Sequence, residues 1–202
     1  MTFESDGSSD RVMPKSTKLE RVINAGTDGA IFFLFHPDDL AHHNQSDLGW
    51  FNDDCAPELS AGKLIAFMTG GDGGFSFRIT ENGVLTQLEK KHHVCSWDFG
   101  LAVSHNRVFL DGGDNLPSLE QVDDPLDEDC DEIDKDCWIE IANGNYKVTV
   151  HAVNCWTEPD YKPIKGLTSY IIHFQPVTDF KDIKPAKGPV KLFHDKGWKP
   201  MV

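Results

Sequence analysis

Positive charge is scarce in this sequence. Across 202 residues, 19 Lys and Arg stand against 33 Asp and Glu, a formal net charge of −14. Contact along a nucleic-acid backbone needs a cationic face that displaces counterions, so direct nucleic-acid binding is not expected. An acidic surface attracts basic proteins instead. Long apolar runs are missing too. The longest runs from Ala30 to Phe35, far short of a membrane span. The first twenty-odd residues hold no apolar core of a secretory leader. The expectation is a soluble, cytoplasmic chain that does not engage a membrane. Cysteine is sparse: Cys55, Cys95, Cys130, Cys137 and Cys155 are odd in number and show no Cys-x-x-Cys spacing. That excludes a disulfide framework or zinc knuckle and leaves reduced thiols, most of them small core fillers. No Gly-x-Ser-x-Gly, P-loop or dinucleotide fingerprint occurs. Gly70-Gly71-Asp72-Gly73-Gly74 is glycine-rich but lies between two strand-like runs, whereas a phosphate cradle needs a helix N-terminus. No cofactor is expected.

What is present points to a packed domain. A chain of this length forms one domain or two small ones. Its 13 Phe, 5 Trp and 3 Tyr exclude disorder throughout. Residues 1–20 are polar and read as a loose tail. From there, short apolar runs alternate with turn residues. Strands are predicted at Ala30–Phe35, Lys63–Thr69, Phe75–Thr80, Trp97–Val103, Arg107–Leu110, Trp138–Ile141, Tyr146–Ala152 and Tyr170–Phe174, with a short helix over Val84–Lys91. Ser104-His105-Asn106 reads as a hairpin turn. About eight strands and little helix predict a mainly β fold, an antiparallel β-sandwich or open barrel with one or two short helices. The domain runs from 21 to 180, with an acidic loop at 117–136 and an extended basic segment over 181–202.

That loop is the strongest local signal. Glu120, Asp123, Asp124, Asp127, Glu128, Asp129, Asp131, Glu132, Asp134 and Asp136 are opposed only by Lys135, so the segment carries −9 of the −14. Such a run solubilises, and it also docks cationic partners by speeding encounter. Asp123, Asp124, Asp127, Glu128, Asp129, Asp131, Glu132 and Asp134 are the candidate partner-binding residues. Asp127-x-Asp129-x-Asp131 opens like an EF-hand loop. Glu132 in place of the turn glycine and Trp138 in place of the bidentate Glu exclude that reading.

His36-Pro37-Asp38-Asp39 follows a buried strand. Its plainest reading is a strand ended by Pro37, with Asp38 or Asp39 capping the next turn. The same four residues resemble the opening of the zinc-dependent N-acetylglucosaminyl deacetylases of LmbE type, although Leu40 stands where that family has Glu. That resemblance implies His36 and Asp39 as zinc ligands and Asp38 as general base, with His151 or His173 as third ligand. A metal-dependent amide deacetylase is thus the alternative to a chain with no metal and no catalytic residues. A solute- or carbohydrate-binding β module is a further option.

A broader set of residues is similar to a bacterial family of immunity-type proteins encoded beside antibacterial toxins, including relatives of the ComJ-type nuclease inhibitors. These residues are Leu34 to Leu40, Leu48-Gly49-Trp50, Thr69 to Phe75 running into Phe77-Arg78-Ile79-Thr80, Gly83-x-Leu85-Thr86-x-x-x-Glu89, Asn143-Gly144-Asn145-Tyr146-x-Val148-x-Val150 and Tyr170-x-Ile172-x-Phe174. The resemblance covers residues 30 to about 176. It implies a non-enzymatic inhibitor of one cognate toxin with a basic binding face, a secreted nuclease or other cytoplasm-acting effector. Trp50, Phe51, Trp97 and Trp156 would be its apolar anchors, unless they are buried in the core.

Overall fold

The computed structural model describes residues 19–41, 55–112, 137–157, 160 and 162–193. Ten strands form two five-stranded sheets. In chain order they are β1 Glu20–Thr27, β2 Ile31–Phe35, β3 Leu64–Met68, β4 Gly73–Thr80, β5 His93–Val103, β6 Arg107–Asp111, β7 Trp138–Glu140, β8 Gly144–Val153, β9 Tyr170–Val177 and β10 Val190–Lys191. One sheet, here A, has the order β1-β4-β9-β8-β5; the other, B, has β10-β3-β2-β6-β7. The expected β-sandwich is therefore present, and no barrel closes among the described residues. Two pairings are parallel, β4 with β9 and β10 with β3; the others are antiparallel. Among the described residues, two short helices, Ala56–Ala61 and Gln87–His92, and a 3₁₀ turn at Pro37–Leu40 accompany the sheets. No helix among the described residues is long and apolar enough to cross a membrane.

The chain changes sheet after every second strand from β1 onward. Ser104-His105-Asn106 is one of these crossings and not the expected hairpin turn, because β5 pairs with β8 in sheet A and β6 pairs with β2 and β7 in sheet B. Alternation sets the core. Phe75, Phe77 and Ile79 of β4, Val148 and Val150 of β8 and Ile172 and Phe174 of β9 are buried, while the residues between them turn outward. From sheet B, the Phe32 ring meets Phe77 edge-on at 4.8 Å and Phe75 at 5.6 Å. Tyr170 stacks on Phe77 at 5.4 Å, and its buried hydroxyl donates to the Leu192 carbonyl at 3.1 Å. This bond ties sheet A to the C-terminal strand of sheet B. Phe180, on the way there, covers Gly100 and Gly62. A Cβ on Gly62 would lie 2.6 Å from that ring, and φ of +70° ends the Ala56–Ala61 helix in a left-handed cap. The chain extends past Phe180 to Phe193 within the segment expected to be an extended basic wrap, and there β10 pairs with β3.

Candidate functional site

β2 ends at Phe35, and the next four residues form the turn that drew both resemblances. Pro37 fills the first helical position, where its missing N–H is not needed. His36 is the N-cap: its Nδ1 accepts the Asp38 N–H at 3.3 Å, and its carbonyl accepts the Asp39 N–H at 3.0 Å. Asp38 and Asp39 occupy the first turn, where carboxylates face the positive end of the backbone dipole. Leu40 is buried in the core, which is why an apolar residue stands there.

The β5–β6 crossing completes the cluster. The Asp39 carboxylate accepts the Ser104 hydroxyl at 3.1 Å and lies 3.3 Å from His105 Nε2. The His105 ring stacks on His36 with centroids 3.8 Å apart and planes 12° apart. Trp138 of β7 flanks His36 at 5.5 Å, and the Arg107 guanidinium sits 3.9 Å above the Trp138 ring. Burial, then the neighbouring His105, lowers the His36 pKa below 6.5; Asp38 and Asp39 oppose the shift, and Arg107 adds to it.

Donor atoms of His36, Asp38 and His105 lie within 4.8 Å of one another. The second histidine of this cluster is thus His105, where the resemblance implied His151 or His173 as third ligand. Those two stand on β8 and β9 of sheet A and pair across to Ile171 and Thr149. Asp39, the other implied ligand, is bonded to Ser104 and His105 instead. Parallel stacked rings direct their in-plane lone pairs side by side and not at one point, and the His36 Nδ1 lone pair already takes a backbone N–H. As it stands, the arrangement is a capped and stacked turn. A cation there would require His105 to leave the stack.

This geometry gives a pH test. The folded chain holds His36 less basic than the unfolded chain does. As pH drops below about 6.5 the unfolded state takes up the proton first, and stability is lost. Asparagine is a strong N-cap and can receive the same Asp38 N–H. His36→Asn is expected to lower the melting temperature at pH 7.5, through loss of the buried ring. The deficit should shrink by pH 5.5, where the imidazole no longer helps. Thermal melts across that range check it; parallel curves for the two proteins would refute the assignment. His151 and His173 are also lowered, so a residual slope remains in both.

The candidate docking residues Asp123, Asp124, Asp127, Glu128, Asp129, Asp131, Glu132 and Asp134 lie outside the described residues, as do Trp50 and Phe51. The stem of their segment is described. β6 ends at Asp111 and β7 starts at Trp138, and these strands are antiparallel neighbours with Phe109 opposite Trp138. The Leu110 N–H donates to the Cys137 carbonyl at 3.1 Å. The acidic run is therefore spliced between two paired strands of sheet B. Its stem is bounded by Asp111 and Trp138, and the Trp138 ring flanks the His36–His105 cluster. Trp97 is half-buried against the core with Lys184 Nζ 5.3 Å over its ring. Trp156 lines a cavity of about 290 Å³ with Asn24, Phe75, Ser76, Cys155 and Ser169. The Ser76 and Ser169 hydroxyls there accept each other's backbone N–H. A run of apolar strand residues gave no sign of this cavity, because it forms where β1 and β4 meet the segment after β8.

No protein-family model matches the chain. No curated protein matches it either. Among solved structures the chain is similar to ComJ, inhibitor of the DNA degrading activity of NucA, from Bacillus subtilis, with 12% identity over 80% of this chain and 100% of that one and a TM-score of 0.46. It is also similar to Crocagin biosynthetic gene J, with 13% identity over 79% of this chain and 96% of that one and a TM-score of 0.46.

Proposed function

We propose that this chain is an inhibitor-type binding protein that neutralises a basic enzyme, most simply a nuclease, by presenting its acidic segment as a phosphate-like surface. The observation that supports this reading is the stem. A run carrying −9 of the chain's −14 joins two strands that are hydrogen-bonded to each other on a buried sheet. Charge held near a rigid body steers a cationic partner and lowers the entropy lost on docking relative to charge on a free tail. The immunity-type sequence resemblance points to the same class of target. Neutralising Asp127, Glu128, Asp129 and Asp131 to Asn or Gln is expected to slow association with the enzyme encoded beside this gene by about tenfold at low salt and to flatten its salt dependence. Stopped-flow association from 20 to 500 mM salt checks this. Unchanged rates across the series would remove the acidic run as the docking element. Co-expression with the neighbouring gene product tests the role itself, through pull-down and rescue of growth.

A further inference from the structure

Away from the His36 turn, on the outer face of sheet A, two histidines from neighbouring strands approach each other. His151 of β8 lies opposite Ser96 of β5. Its Nδ1 is 3.4 Å from His93 Nε2, the ring centroids are 5.5 Å apart and the planes cross at 66°. Simple alternation would not bring His93 here. Ser96 and Asp98 face outward with His151 and Thr149, so an unbroken pleat would turn His93 toward the core. The register slips between His93 and Cys95, and this bulge re-aims His93 onto the outer face. His93 also directly follows the helix Gln87–His92, whose last carbonyl accepts the Asn154 N–H at 2.9 Å. Both rings thus stand on strands and a helix end.

We propose that His93 and His151 form a two-imidazole site for a divalent transition-metal ion of the zinc, nickel or copper class, with water completing the coordination shell. Two nitrogens bound to one tetrahedral ion at ~2.05 Å sit about 3.4 Å apart, the separation found between these rings. Unlike the parallel pair His36 and His105, these rings cross, so a small tilt converges their lone pairs. Imidazole suits zinc, nickel and copper, whereas magnesium and calcium select oxygen donors. Burial, then His93 and His173, pushes His151 down to about 4, so it is neutral with a free lone pair at pH 7. Asp98 and Glu89 act on His151 with the opposite sign, and their charge favours a cation at this place. The competing account is a plain N–H···N hydrogen bond between the two rings.

The test uses the full chain without a histidine tag, titrated with Zn²⁺ alone and with Ni²⁺ alone by calorimetry at pH 7.5, together with Cu²⁺ spin resonance. One ion per chain is expected, with couplings from two imidazole nitrogens. The chain has nine histidines, so variants decide which of them hold the ion. His93→Asn and His151→Asn should each weaken Zn²⁺ binding at least tenfold. The double variant should bind no more tightly than either single one, because no imidazole ligand of the site remains. His105→Asn and His173→Asn should leave binding unchanged. Absence of binding, affinity in the His93→Asn and His151→Asn variants equal to that of the unmutated chain, or loss on His105→Asn would overturn the proposal. If His151→Asn fails to fold by circular dichroism, the exposed His93 carries the same test.

Discussion

Phe77→Ala is expected to destabilise the fold by about 3–5 kcal/mol, a large part of the ~5–15 kcal/mol that holds a domain together. The reason is where the ring sits. Phe77 is fully buried and joins the two layers. It meets Phe32 of sheet B at 4.8 Å and stacks on Tyr170 of its own sheet at 5.4 Å, with Phe67 of sheet B at 6.5 Å. Truncation opens a cavity between sheets that are each pinned by their own hydrogen bonds, so collapse into it is limited. Aromatic pair terms of roughly 0.5–1.5 kcal/mol each are lost as well. At about 2–4 °C per kcal/mol for a chain of this size, the melting temperature should fall by ~6–20 °C. Phe77→Leu keeps most of the volume and should cost about a third as much. Chemical denaturation with an unchanged slope would show that stability alone moved. A loss below about 1 kcal/mol would mean that this ring does not hold the sheets together.

Much of this core was legible in the sequence because it rests on period two. Phe75-x-Phe77-x-Ile79 and Tyr146-x-Val148-x-Val150 each named a buried face, and both faces are buried. What period two cannot give is the partner strand. The parallel pairing of β4 with β9 joins residues more than ninety positions apart, from Phe77 to Tyr170. No turn signal encodes it. β1 was missed because only Ile23 and Ala25 of its central residues reach the core, with Asn24 exposed between them and Val22 exposed before them. A lone Ile and a small Ala make a weak apolar beat. β10 is two residues long and exists through pairing with β3 and the Tyr170 hydroxyl nearby.

The site was legible in a similar, partial way. His36-Pro37-Asp38-Asp39 announced a strand end with a polar turn, and the turn is there. His105 could not be found from spacing, because the β5–β6 crossing brings it back over sixty residues later. His93 was hidden by its bulge. A regular strand reading places it on the wrong face, and only the slipped register corrects this. The acidic run, by contrast, is visible from composition alone, and the structure adds only where its stem begins and ends.

Arg78→Met should be nearly as damaging as the loss of Phe77, for an electrostatic reason. Arg78 projects from the outer face of β4 and grips Glu89 with both arms of its fork, Nε to Oε1 at 2.7 Å and Nη2 to Oε2 at 2.9 Å. Glu89 also closes the capping box of its helix: Oε2 accepts the Thr86 N–H at 2.7 Å, and the Thr86 hydroxyl accepts the Glu89 N–H at 3.1 Å. The Glu89 side chain is only 4% exposed and that of Arg78 15%, so solvent screens the pair little. Glu20, half-exposed at 54%, adds a weaker contact to the same guanidinium. Removing Arg78 strands a buried carboxylate, and such single deletions cost about 3–5 kcal/mol. Replacing both partners, Arg78→Met with Glu89→Leu, should restore most of the loss, short of roughly 1 kcal/mol for the missing cap. The pH dependence separates this from lost packing. Burial alone would push the Glu89 carboxyl up, but the hydrogen bonds from Arg78 and the Thr86 backbone outweigh it and hold it below 4.5. The wild-type pair therefore stabilises fully above that pH and loses its contribution as pH falls through the folded value. In Arg78→Met the carboxyl has lost its cation and protonates more readily, so the deficit against wild type should narrow from pH 7 to pH 4. Denaturation midpoints measured at both pH values decide it: a deficit that stays constant would show that Arg78 acts through its methylene stem and not through its charge.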